Sequence, residues 1–158
     1  MTQVTLASHA RDGARHHAGS AYPFEGCGLL IGYVAEDGVR VTRALRCPNV
    51  APREEQTHRF AIDPRALLNV RKSLRNHGAT ESIVGFYHSH PDAPAAPSAT
   101  DMEYIRLWPE TVWLIVPVVA GEVGEPRAWW LDEADGPHAR ELAVHVPPVR
   151  ETAAACPD

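Results

Sequence analysis

The feature that most restricts how this chain can fold is the stretch from His88 to Asp101, in which His88-Ser89-His90-Pro91 is followed by Ser98-Ala99-Thr100-Asp101. On an extended segment, residues i and i+2 point to the same face, so the two imidazoles can converge on one ion at zinc to nitrogen distances of about 2.0–2.1 Å. Asp101 supplies a third ligand if the run carrying Pro91, Pro94 and Pro97 turns the chain back toward the strand. Two neutral imidazoles and one carboxylate leave the fourth tetrahedral position open, which distinguishes a catalytic zinc site from a closed structural one. The fold must therefore bring a strand exit and the first turn of a helix together.

The flanking patterns supply those elements. Ser82-Ile83-Val84-Gly85-Phe86-Tyr87 is a β-rich run leading straight into His88, and Ser98 opens a short helix through about Leu107 with Asp101 in its first turn. Ala7, Ala10, Ala14 and Ala18 recur at helical spacing and predict an amphipathic helix that ends before Tyr22-Pro23. Gly26 to Ala35 is a Gly-punctuated apolar run that turns at Glu36-Asp37-Gly38 into a second strand, Val39 to Cys47. Pro48 to Thr57 has no periodicity and reads as a surface loop before a short strand around His58 to Ile62. Asp63 then caps a second helix with Pro64 at its first position; Leu67, Val70 and Leu74 form its buried stripe and Gly78 stops it. Thr111 to Val119, Glu125 to Asp132 and Arg140 to Pro147 read as further strands, with Pro117 requiring an edge or bulge position. The sum is a single α/β domain over residues 1–147, a mixed, mostly antiparallel β-sheet flanked by helices, with 148–158 as a flexible tail.

Ser98 and Asp101 also fit a plain capping box, but that reading accounts for neither histidine. If His88, His90 and Asp101 hold a metal, water activated there still needs a group to accept its proton and pass it to a leaving amine, and none of the three ligands is free to do so. Glu25 is the candidate, because it lies between a helix end and a buried apolar strand, where an unpaired acid is costly. Its alternative is an ordinary helix-terminal surface acid. Ser89 should face away from its two neighbours and pack, and Cys27 reads as a core residue. His9, His16, His17, His58, His77, His138 and His145 have no partner at ligand spacing and read as surface or boundary residues. Trp129 and Trp130 alternate faces of a strand, one expected in the core and the other exposed as a contact for a protein substrate.

Composition removes several function classes. The net charge of -5 leaves no overall basic field, and the densest basic patch, Arg71, Lys72 and Arg75, lies on one predicted helix, so nucleic acid is not an expected partner. The longest apolar run, Val112 to Ala120, is far short of a membrane span, and no apolar stretch follows a basic leader at the N-terminus. Cys27, Cys47 and Cys156 are odd in number and contain no Cys-x-x-Cys pair, which points to a reducing cytoplasm. The missing Pro-Cys-x-x-Cys pair excludes a zinc base deaminase, and the missing His-Glu-x-x-His excludes the thermolysin type.

Tyr22-Pro23-Phe24-Glu25-Gly26-Cys27-Gly28-Leu29-Leu30-Ile31-Gly32, taken with His88-Ser89-His90-Pro91 and Ser98-Ala99-Thr100-Asp101, resembles the JAMM (MPN-plus) metallopeptidases in their compact prokaryotic form. Phe60-Ala61-Ile62-Asp63-Pro64 and Arg127-Ala128-Trp129-Trp130 add to the likeness, which extends over about residues 1–147. The resemblance implies an MPN, cytidine-deaminase-like architecture and one Zn2+ per chain on His88, His90 and Asp101. It also implies that Glu25 activates the water and that the Ser98 hydroxyl polarises the scissile carbonyl or stabilises the oxyanion. Hydrolysis of peptide or isopeptide bonds at the C-terminus of a ubiquitin-like protein, in particular a sulfur carrier, follows from the same likeness. Without a long insertion of the kind that selects among ubiquitin chains, a deubiquitinase is the weaker alternative. A scaffold without catalysis would not need the complete ligand set. A homodimer is compatible with everything above.

Overall fold

The computed structural model describes residues 2–132 and 138–149, so the expected tail beyond Val149, Cys156 included, lies outside the described residues. In chain order the elements are β1 (Gln3–Leu6), α1 (Ser8–Ala21), β2 (Cys27–Ala35), β3 (Gly38–Cys47), α2 (Pro64–Asn76), β4 (Ser82–Pro91), α3 (Ala99–Ile105), β5 (Val112–Val119), β6 (Glu122–Val123), β7 (Arg127–Asp132) and β8 (His138–His145). The strands form one sheet in the order β4-β2-β3-β1-β8-β7-β5-β6, and a further β4–β5 pairing closes it into a barrel-like surface. Pairing is parallel for β1–β3, β1–β8 and β4–β5 and antiparallel elsewhere, as expected of a mixed, mostly antiparallel sheet.

Each face of the sheet has its own core. Ala10, Ala14 and Ala18 of α1 are buried against Val4, Leu6, Leu30, Tyr87 and Leu114, the small side chains allowing the helix to lie close to the strands. On the other face Phe86, Trp113, Phe60, Ile62 and Leu67 pack together beneath α2 and α3. Asp63 caps α2 through its side chain, which accepts from the Arg65 N–H, and Gly78 beyond the helix adopts φ +60. Of the expected stripe on α2, Leu67 is buried while Val70 and Leu74 are half-buried.

Several expectations need correction. β1 was not legible as a strand: its four residues alternate buried and half-buried, too short a pattern to register, yet it bridges β3 and β8 in parallel. No strand forms around His58 to Ile62, because the backbone there bonds to Asn49 instead of a ladder: the Asn49 amide donates to the Arg59 carbonyl and its oxygen accepts from the Ala61 N–H. Pro117 is tolerated in β5 because it falls in a gap of the ladder, after the β7 pairing ends at Ile115 and before the β6 pairing begins at Val118. Trp129 and Trp130 do lie on opposite faces, but both are half-buried, one against each core, so neither is the exposed contact expected.

Candidate metal centre

β4 emerges from the core between β2 and β5, with Cys27 opposite His88 on one side and Ile115 on the other. Phe86, His88 and His90 share the face that carries α3, while Tyr87 and Ser89 share the opposite one. The Pro91–Pro97 loop returns the chain to this face. It is held by the His90 Nδ1–H, 2.6 Å from the Pro94 carbonyl, and by the Trp129 indole N–H, which donates to the Ala95 carbonyl at 3.0 Å. Thus Trp129 staples the loop that delivers Asp101, the third candidate ligand. Ser98 then caps α3, its hydroxyl accepting from the Asp101 N–H at 3.1 Å while the Asp101 carboxylate accepts from the Ser98 N–H at 2.9 Å. The capping box and the ligand arrangement are one structure: the same hydrogen bonds that start the helix aim Asp101 at the histidines.

The convergence is tight. His88 Nε2, His90 Nε2 and Asp101 Oδ2 form a triangle with edges of 3.0, 2.9 and 3.2 Å, and all three residues are buried. With its Nδ1 proton committed to Pro94, a neutral His90 presents a bare lone pair at Nε2, directly facing a carboxylate oxygen. Lone pairs of like sign at this separation repel unless a cation or a shared proton lies among them. Three vertices of a tetrahedron with bonds of about 2.0–2.1 Å stand about 3.3 Å apart, so the residues present fit a single tetrahedral ion. The His88 ring is oriented by stacking on Phe60, with centroids 4.5 Å apart, while its buried Nδ1 has no hydrogen-bond partner.

Glu25 completes a buried group of four whose ligand atoms lie within 4.8 Å of one another, the one such group among the described residues. Its Oε1 stands 4.0 Å from His88 Nε2 and 3.9 Å from His90 Nε2, outside the triangle and beside it. Burial, reinforced by the Asp101 charge, raises the Glu25 carboxyl to about 8 under the influence of the protein groups alone. Burial opposes the charge on Asp101 as well, but the two imidazoles outweigh it and hold this carboxyl below the usual range. Burial keeps His88 below its ordinary value; at His90 the bonds to Asp101 and Pro94 overcome burial and raise it. A site with one carboxyl pushed up and one pulled down separates an acid that can carry a proton from one that cannot.

A cleft of about 320 Å³ opens beside this group, lined by Glu25, His58, His90, Pro94, Pro97 and Ser98. Because the Ser98 oxygen accepts from a backbone N–H, its own proton is free to be donated into the cleft, and the residue is exposed there. The structure thus brings together the five residues singled out from sequence. It also places His58, set aside as a surface residue, on the cleft wall. Cys27 is buried in the core beneath α2, and Ser89 faces away from its neighbours, as expected. Sequence reading gave Ser89 only a packing role, whereas it ties β4 to the Glu25 segment: its N–H donates to the Gly26 carbonyl and its hydroxyl accepts from the Gly26 N–H at 2.8 Å. Ser89→Ala leaves that buried N–H unpaired and should lower stability by about 1–3 kcal/mol, read as a lower midpoint in denaturant with unchanged slope. Among the described residues no helix is long and apolar enough to cross a membrane.

Comparison with known proteins matches this arrangement. The family model for prokaryotic homologs of the JAB domain matches residues 7–132, a span that contains Glu25, both histidines, Ser98 and Asp101. A desampylase of Haloferax volcanii is 40% identical over 118 residues, covering 72% of this chain and 80% of its own. A probable TtuB-protein conjugate cleaving protease of Thermus thermophilus is 35% identical over 132 residues, covering 84% and 75%. Among solved structures, a protein from Desulfitobacterium hafniense superposes with a TM-score of 0.72 at 29% identity, covering 92% of this chain and 94% of that one. One from Salinibacter ruber does so with 0.62 at 36% identity, covering 93% of each. Since the family match spans both arms of the site and most of the fold, the resemblance read from the motifs holds: this chain belongs to the prokaryotic JAB-domain family.

Proposed function

We propose that this protein is a zinc metallopeptidase, a single catalytic domain over residues 1–147. It would act in the cytoplasm on peptide or isopeptide bonds at the C-terminus of ubiquitin-like proteins, sulfur carriers included. The observation that carries this reading is the buried triangle of His88, His90 and Asp101 with a separate carboxyl, Glu25, standing beside it at the head of an open cleft. The related desampylase and conjugate-cleaving protease support the substrate class.

His88, His90 and Asp101 would hold the ion, which when bound supplies a Lewis acid that makes water nucleophilic near neutral pH and polarises a carbonyl. Glu25 accepts the proton released as water adds to the scissile carbonyl carbon. As the C–N bond breaks, the same carboxyl delivers that proton to the departing nitrogen. Ser98 donates its free hydroxyl proton to the carbonyl oxygen, whose negative charge grows along the reaction. Pro94 and Pro97 give the cleft a stiff wall without N–H donors, suited to a narrow chain such as a diglycine tail.

The test is incubation with a ubiquitin-like protein fused through its terminal diglycine to a reporter tail, with and without a chelator. Cleavage after the second glycine that stops on chelation and returns with zinc is expected, and cleavage indifferent to the chelator sinks the reading. Ser98→Ala should lower kcat about 10²-fold while zinc content stays near one per chain. Ser98→Thr keeps both the cap and a hydroxyl and should recover most of that loss, which separates the oxyanion role from helix capping.

A further inference from the structure

The Glu25 side chain is buried, its Oε2 has no hydrogen-bond partner, and its Oε1 stands 4.0 and 3.9 Å from the His88 and His90 Nε2 atoms, beyond hydrogen-bond distance, so the carboxyl end is only weakly held. Its aim must then come from the backbone. That backbone is held from both ends by one irregular segment: the Glu25 N–H donates to the Gln56 carbonyl at 2.7 Å, and the Glu25 carbonyl accepts from Asn49 Nδ2 at 3.1 Å.

Asn49 does more than close this contact. Its Nδ2 also donates to the Arg59 carbonyl at 3.0 Å, and its Oδ1 accepts from the Ala51 and Ala61 N–H groups, each at 3.1 Å. Two donors and two acceptor lone pairs are the whole capacity of a side-chain amide, and here all four are used. Gln56, which binds the Glu25 N–H through its carbonyl, is itself tied back, its amide donating to the Asn49 and Ala51 carbonyls. The pinned segment contains Phe60, on which His88 stacks, and His58, which lines the cleft. Phe60 is seated independently against Tyr104 and Trp113, so what this one amide fixes is the Glu25 backbone against the segment.

We infer that Asn49 is a positioning residue for the hydrolytic reaction, holding the Glu25 backbone so that its carboxyl, which has no hydrogen bond at Oε2, points at the reacting water. The inference rests on the reading of Glu25 as general base. A displacement of about 1 Å in a group that transfers a proton can cost about 10²-fold in rate.

The test is a double-mutant cycle between Asn49→Asp and Glu25→Gln on the diglycine fusion substrate, with zinc content and melting temperature measured for every variant. Asn49→Asp has the same shape and keeps both acceptor bonds, but loses the donors to Glu25 and Arg59. Alone it should lower kcat about 10–100-fold, with KM within about threefold and zinc near one per chain. In the Glu25→Gln background the same change should alter kcat by less than about threefold, because there is no proton carrier left to misplace. If Asn49→Asp folds poorly, Asn49→Ser, which admits water to the vacated donor sites, takes its place in the cycle with the same expectation. Equal losses in both backgrounds, or a loss that follows only the folded fraction, overturn the inference. A slow Glu25→Gln beside an undiminished Asn49→Asp overturns the positioning role alone, whereas a Glu25→Gln as fast as wild type overturns the base assignment and this inference with it.

Discussion

Replacing His88 with alanine should cost this protein its metal, and with it at least about 10³-fold in cleavage rate. Loss of a group that only orients a ligand already weakens metal affinity or activity about 10–100-fold, and loss of a ligand itself does more. Here the effect is compounded, because Asp101 and His90 are buried and the remaining pair cannot enclose an ion tetrahedrally. The stability consequence is separable. An ion that binds only the folded chain stabilises it by about 4 kcal/mol at a thousandfold excess over Kd, so added zinc should raise the wild-type melting temperature and leave that of His88→Ala unmoved. Elemental analysis of the purified variant decides the point: stoichiometric zinc in His88→Ala would falsify the ligand assignment.

Glu25→Gln should retain zinc and lose about 10²–10⁴-fold in kcat, the range expected for a removed general acid-base. The amide keeps the shape and the buried contacts, but it cannot accept a proton from water or return one to nitrogen. The pH dependence carries a sign that can be worked out. Burial and the Asp101 charge raise the Glu25 carboxyl from 4.5 to about 8 under the influence of the protein groups alone, and a cation beside it favours the carboxylate and draws the value back toward the ordinary one. The base must be deprotonated to act, so the wild-type rate should climb with pH somewhere between 4.5 and about 8. In Glu25→Gln this limb should vanish while the metal remains. A variant that keeps the limb points to a different proton acceptor.

The legible parts of this protein are those encoded over short distances along the chain. His88 and His90 share a face because a strand has a period of two, and Asp101 reaches them because a serine cap orients the residue three positions later. The alanine stripe of α1 and the Asp63-Pro64 start of α2 are local in the same sense. The misread parts depend on distant partners. Around His58 to Ile62 the residues suit a strand, but the Asn49 side chain, beyond the reach of a short window of residues, supplies the bonds a neighbouring strand would have supplied. Alternation on a strand predicts one exposed indole of Trp129 and Trp130, but both are half-buried, and the Ala95 carbonyl takes the Trp129 indole N–H across 34 positions.

By itself, then, the sequence determined the fold class and the identity of the residues that could form a metal site, because helical and strand periodicity and cap chemistry act within a few residues. Tertiary structure alone decided the closure of the sheet through the β4–β5 pairing, and the placement of the Glu25 carboxyl 4.0 and 3.9 Å from the two imidazoles. It alone decided the clamp of Ser89, Gln56 and Asn49 around the Glu25 backbone. These depend on which strands lie side by side and in what register, and register is set by the packing of whole faces against one another, which no short window of residues contains.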